Sequence, residues 1–206
     1  VSANNAAFKA AFAAVAANPS AFLTEASASY TALTGETLTV LKIGTMAPTS
    51  ERLFTAMNTA APTDGMILLV FKGVSVQKPV HVLHITTDGG QLIQPRDLFL
   101  VQEGASAEVI IEHVATGVNT SSSLVNAVRD SFVANGANLT IHLLQNEANG
   151  PAHIGLDGVN IGAKGRFSID TTTLNGSLVR NELNISLAGP EAHAELNGVY
   201  VLNGTM

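Results

Sequence analysis

The chain has 206 residues with no cysteine and no tryptophan, and charged residues make up only 13% of it. A chain of this length buries roughly 70% of its unfolded surface without disulfide staples, and without cysteine it offers no thiolate to a zinc ion, a cluster or a nucleophilic step. Ten basic against 16 acidic residues, a net charge of -6, exclude the broad cationic face that nucleic acid or an anionic membrane requires.

The remaining composition, 46% apolar with few charges, describes an ordered chain whose surface is made of Ser, Thr, Asn and Gly. In the opening segment Phe8, Phe12 and Val15 form a helical stripe that Asn18-Pro19 ends. The Ala-rich run resembles a signal-peptide core, but Lys9 lies inside it and Val1 is not an initiator methionine, so a helix in a trimmed or excerpted chain is expected. A second short helix is expected from Ser20, and Thr37 to Val40 alternates like the start of a strand. Thr49-Ser50-Glu51 supplies a hydroxyl cap and an acidic first turn for a further helix that ends near Ala61-Pro62. Residues 1–62 are thus expected to form a small N-terminal helical region. Met66 to Phe71, the longest apolar run, has strand length and cannot span a membrane.

After Gly65 the apolar spacing becomes two: Val80 and Val82, Leu98 and Leu100, Leu139 to Leu143, Val199 and Val201. Turn residues break these runs about every ten residues, which reads as all-β. Gly104, Gly136, Gly162 and Gly189 each open a similar segment, a glycine turn and a small residue followed by an alternating strand, and stand 32, 26 and 27 residues apart. That near-regular period predicts stacked coils over 66–206, a parallel β-helix, ahead of a sandwich of irregular hairpins.

Chemistry-bearing motifs are sparse. Neither G-x-G-x-x-G nor G-x-x-x-x-G-K-[ST] occurs, and Gly155, Gly158, Gly162 and Gly165 read as turn glycines. There is no G-x-S-x-G and no H-E-x-x-H. The histidines are His81, His84, His113, His142, His153 and His193. His81 and His84 should leave opposite faces of one strand. Stacking of coils could align His113 with His142, but with no close acidic third ligand, solvated or hydrogen-bonded histidines are the expectation. The carboxylates Glu108, Glu112, Asp130, Asp157 and Asp170 read as spread through turns, without the aromatic platforms of a polysaccharide-cleaving β-helix. Sequons at Asn119, Asn138, Asn175, Asn184 and Asn203 fit chance in a chain so rich in Asn, Ser and Thr.

Three stretches together resemble the SufB/SufD family of iron–sulfur cluster assembly proteins: Leu92-Ile93-Gln94-Pro95-Arg96-Asp97 running into Glu108 to His113, Leu143-Leu144-Gln145-Asn146-Glu147, and Leu178-Val179-Arg180-Asn181-Glu182-Leu183-Asn184 followed by Leu196 to Tyr200. The likeness covers about residues 66–206. The helical opening and the lack of cysteine are similar to the SufD-type members.

The resemblance implies a mainly β fold, a right-handed parallel β-helix with a small N-terminal helical region, in a cytoplasmic or plastid protein. It implies a non-catalytic scaffold subunit that pairs with a SufB-like paralogue and a SufC-like ABC-type ATPase, with no nucleic-acid or membrane partner and no cofactor held in this portion. Family members continue past the position of Met206 into a His/Asp-rich strand and C-terminal helices, and their ligand histidine lies there, so no catalytic, cofactor or metal residue is carried across. The ATPase contact is expected in that further part. A secreted β-helix enzyme on carbohydrates, or an adhesin, is the competing expectation.

Overall fold

A computed structural model describes residues 52–201 except 88, 117–119 and 149; the elements expected before residue 52 lie outside them. The described chain runs α1 (Leu53–Ala60), β1 (Ile67–Val70), β2 (Val80–Thr86), β3 (Leu92–Ile93), β4 (Arg96–Val101), β5 (Ser106–Ala115), a short 3-10 turn (Thr120–Ser122), β6 (Leu124–Val133), β7 (Asn138–Asn146), β8 (Ala152–Ile161), β9 (Arg166–Asn175), β10 (Leu178–Leu187) and β11 (His193–Tyr200).

All strand pairs are parallel. One sheet has the order β1-β4-β6-β8-β10, with β3 also on β6, and the other the order β11-β9-β7-β5-β2. From β4 onward consecutive strands therefore alternate between the two sheets, and each coil lies on the one before it. This is the expected β-solenoid, and the hairpin sandwich is set aside because no antiparallel pair occurs among the described residues.

The alternating sequence explains the core. Along β5 and β7 every second residue is buried, and the register stacks like on like: Ala107, Leu139 and Phe167 in one column, Val109, Ile141 and Ile169 in the next. Val101, Val133 and Ile161 face them from the other sheet. Each of these side chains larger than alanine contributes about 1.5–3 kcal/mol by leaving water. The final described rung is uncovered: Leu187 and Leu196, in register with buried Ile161 and Ile169, are 57% and 53% exposed.

α1 docks through polar groups. The side-chain amide of Asn58 donates to the carbonyls of Pro95 and Asn126, and that of Asn126 donates back to the carbonyl of Phe54. The helix starts one residue after Arg52, which makes no side-chain capping bond, and its end at Ala60 agrees with the Ala61-Pro62 stop; the hydroxyl cap expected at Thr49–Ser50 lies outside the described residues.

The repeat differs in detail from the glycine spacing. Ser106, Asn138, Arg166 and His193 are in register, and two residues before each lies a left-handed residue: Gly104 (φ 65°), Gly136 (φ 64°), Lys164 (φ 58°) and Glu191 (φ 58°). The tight corner between sheets keeps its conformation in every coil while the residue changes. Gly162 and Gly189 sit two positions earlier and serve close approach instead: a Cβ on Gly162 would lie 2.6 Å from Asn135 Oδ1 and one on Gly189 2.4 Å from the amide nitrogen of Ala163. Gly155 and Gly158 lie inside β8 rather than in turns.

Because a side chain strains the left-handed conformation, Lys164→Gly should raise stability by up to about 1 kcal/mol and Gly136→Ala lower it by about 1 kcal/mol. The exposed Lys164–Glu191 ion pair at 3.9 Å is worth little against this. Denaturant midpoints check the pair, and a neutral Gly136→Ala would refute the shared corner geometry.

Candidate functional site

Each coil has two corners. The tight one is apolar inside, whereas the wide one, where β5 and β7 end and β6 and β8 begin, is lined by buried polar residues. The register that stacks apolar columns at one end stacks charges at the other. Asp97, Arg129 and Asp157 are neighbours on β4, β6 and β8, and each is at most 6% exposed. Arg129 donates to Asp157 Oδ1 at 2.6 Å, and its Nε lies 3.8 Å from Asp97 Oδ2. Its guanidinium stands 5.8 Å from the centroid of the Phe99 ring, a cation–π distance. Asp97 is anchored by the amide of Met66 at 3.0 Å.

The opposite sheet brings His84 and His113 into register. Their rings stack with centroids 4.6 Å apart and 9° between planes, and His153 from β8 meets His113 edge-on at 4.6 Å. His153 Nδ1 is bonded to Glu147 Oε2 at 2.8 Å. Below them Gln145 and Asn181 form a reciprocal amide pair, Asn181 Nδ2 donating to Gln145 Oε1 at 2.8 Å and Gln145 Nε2 to Asn181 Oδ1 at 3.1 Å, and Thr173 donates to the same Gln145 oxygen at 2.7 Å. A cavity of about 10 Å³ opens between Asp97, Arg129, His113, His153 and Asn181. Three donors converge beside it: one atom each from His113, Glu147 and His153, all within 4.8 Å of one another.

Burial dominates the electrostatics. It pushes the Asp97 and Asp157 carboxyls above their ordinary value against the pull of Arg129, and pushes Asp130 up against Arg96. It holds His84 below the ordinary imidazole value although Asp97 pulls upward, and His113 well below it, with His153, His84 and Arg129 adding to the fall. His113 is therefore a neutral imidazole, able to donate from one nitrogen and accept or ligate with the other.

The sequence expectations divide. His81 and His84 do leave opposite faces: His81 is outside with Glu112 at 3.1 Å, and His84 is inside. His113 does not align with His142, because His142 pairs with Ile110 in the register and lies on the outer face between Glu108 and Asp170, 3.1 Å from each. The carboxylates Glu108, Glu112, Asp130, Asp157 and Asp170 are all in strands, not turns. Glu147 went unnoticed as a neighbour of His153 because a turn brings it back: a Cβ on Gly150 would lie 2.7 Å from that of Glu147. The signal that could have found the corner was the polar residue closing each alternating strand, His113 after Ile111 and Gln145 after Leu143.

A parallel β-solenoid with a thiol-free, charged inner corner is the class these observations define. The three stretches that carried the family resemblance are also the ones that furnish that corner, with Asp97 and His113, Gln145 and Glu147, and Asn181. The chain belongs to the family described as SUF system FeS cluster assembly, SufBD core domain, whose pattern matches residues 84–206. It is similar to an iron–sulfur cluster assembly SufBD family protein of Synechocystis sp., at 21% identity over 162 residues, which is 75% of this chain and 36% of the relative. It is also similar to the iron–sulfur cluster assembly protein SufB of Bacillus subtilis, at 28% identity over 163 residues, 72% of this chain and 35% of the relative. The chain thus spans about a third of the length of the curated relatives it matches. No solved structure matches it. No described helix is long and apolar enough to cross a membrane.

Two predictions follow from the burial of charge. Arg129→Met should destabilise the fold by about 3–5 kcal/mol, because two carboxylates are left without their cation, and adding Asp97→Asn and Asp157→Asn should recover part of the loss. Additive effects of the three substitutions in denaturation curves would show that the groups do not act as a unit.

For His84 and His113 the folded state resists a proton that the unfolded chain accepts near 6.5, so their contribution is complete above that value and is lost as pH falls below it, at up to about 1.4 kcal/mol per pH unit for each. The raised carboxyls act oppositely, favouring the fold toward their unfolded value of 3.8 and losing that contribution as pH rises through their folded values. Stability measured from about pH 7 to 5.5 should decline, and His113→Gln should flatten the decline; an equal slope in both proteins would remove His113 from this role.

Proposed function

We propose that the chain is part of a SufD-like, non-catalytic scaffold subunit of a cytoplasmic SufBCD-type iron–sulfur cluster assembly complex. The observation that carries this reading is a SufBD-type solenoid built without a single cysteine. The cluster is cargo of such a complex, and its sulfide-bridged irons are held by thiolates, which these 206 residues do not supply. Framework features support the reading further. The inner corner is occupied by paired charges and amides that hold coils in register, and the described residues present no stacked aromatic platform of the kind the competing carbohydrate-active reading needs, Tyr200 being the tyrosine among them.

In this proposal the partners are a SufB-like paralogue, which contributes thiolates, and a SufC-like ABC-type ATPase bound through a part of the subunit outside these residues. The uncovered apolar rung at β10 and β11 suits a solenoid that continues toward such contacts.

The test is co-expression of the full gene product with a SufB-like protein and a SufC-like ATPase, followed by affinity purification. Both partners should co-purify with it, and residues 1–206 alone should fail to retain the ATPase. Incubated alone with ferrous iron and sulfide, the chain should develop no cluster absorption. A cluster assembled on it without the paralogue, or ATPase retained by residues 1–206, would refute the assignment.

A further inference from the structure

The wide corner contains one cluster that the Asp97–Arg129–Asp157 ladder does not use. His113 from β5, Glu147 from the β7–β8 connection and His153 from β8 are 2%, 1% and 2% exposed. Glu147 spends one oxygen on His153, while the other, Oε1, is buried with no hydrogen-bond partner among the described residues. A buried carboxylate oxygen left in that state is costly, and native structures fill such a vacancy with a water, a proton or a cation.

The local backbone is shaped around this point. Gly150 closes the turn that carries Glu147 inward; a Cβ there would lie 2.5 Å from the carbonyl oxygen of Glu147. Gly155 leaves open the space beside His153: a Cβ there would lie 3.6 Å from His153 Nε2 and 3.0 Å from Asn181 Oδ1. On that side of the ring a cavity of about 10 Å³, lined by His113 and His153 but not by Glu147, has room for roughly one water-sized occupant.

We propose that His113, Glu147 and His153 form a binding site for a single divalent transition-metal cation inside the solenoid. Two imidazoles and one carboxylate are donors of borderline hardness, suited to zinc(II), iron(II) or cobalt(II); magnesium and calcium take oxygen donors, and copper(I) prefers sulfur. Donors around a tetrahedral zinc stand about 3.4 Å apart when each is about 2.1 Å from the metal. The observed separations, from the 2.8 Å contact of His153 with Glu147 to the 4.8 Å limit for the whole set, bracket that value.

The surroundings favour an ion. His113 is held neutral by burial, the form a ligand must have. His84, stacked behind it, fixes its ring plane from the preceding coil. The bound cation joins β5, the β7–β8 connection and β8, and so ties the two sheets together at the wide corner. This site goes beyond the scaffold role and does not depend on it, since the ion resides in this chain with or without a partner.

The experiment titrates the whole 206-residue chain, stripped with a chelator and dialysed, with cobalt(II) chloride, reading ligand-field absorption and bound metal. One equivalent should bind, zinc(II) should displace it, and a large excess of magnesium should not. Glu147→Gln keeps the shape and removes the charge, and His153→Asn removes a ligand; each should weaken binding at least about tenfold. His142→Asn, in the exposed Glu108–His142–Asp170 set, should leave binding unchanged. Failure of the folded chain to bind cobalt, loss of binding in His142→Asn, or undiminished binding in both core variants overturns the proposal. Should a core variant fail to fold, X-ray absorption of the cobalt-loaded unaltered chain decides: imidazole nitrogens in the coordination sphere support the site, and an oxygen-only sphere refutes it. No Suf partner enters the titration, so its outcome and that of the co-purification are read separately.

Discussion

Every coil of this solenoid must offer its neighbours an in-register backbone edge, because parallel pairing leaves a strand's amides and carbonyls no other partner. That constraint decides more than the sheets. It forces each inward side chain to sit on the inward side chain of the coil below, so a residue cannot choose its environment independently of the residue about thirty positions away. Ile141 is comfortable because Val109 and Ile169 share its column. By the same rule Arg129 cannot be solvated, and its charge is tolerated only because the register puts a carboxylate on either side of it.

Segregation of the interior follows from the shape of the coil. At the tight corner four residues, 102–105, 134–137 or 162–165, turn the chain around a left-handed residue, and the two sheets come close enough for apolar side chains to fill the gap. At the wide corner the β5–β6 and β7–β8 connections are longer, and buried side chains meet backbone groups nearby: Gln94 donates to the carbonyl of Ala61, and Asn58 to those of Pro95 and Asn126, groups that apolar side chains would leave unsatisfied. A polar corner inside a β-solenoid is thus both a structural necessity and the place where chemistry-bearing residues can be kept from water, which is why the stretches typical of the family converge there.

Much of the fold was legible in the residues. The switch to a period of two after Gly65 and the recurrence of turn glycines were enough for a stacked parallel architecture, because both are local signals. The register was not. Gly162 and Gly189 read as equivalents of Gly104 and Gly136, but the equivalent positions are Lys164 and Glu191, and only the pairing of Asn138 with Arg166 and of Arg166 with His193 reveals it. A shift of two residues preserves the alternation of faces, so nothing in the pattern could have exposed the slip.

The candidate site shows the same limit more sharply. Its residue types, the absence of thiolate and the opposite faces of His81 and His84 were all determined by the sequence alone, since they depend on composition and on the geometry of a single strand. The company each residue keeps was decided by the tertiary structure. His113 meets His84 and His153 rather than His142, and Glu147 returns to His153 through a turn closed by Gly150. These partners are set by coil length and by the path of the wide corner, quantities that sum over some thirty residues and that no local spacing encodes.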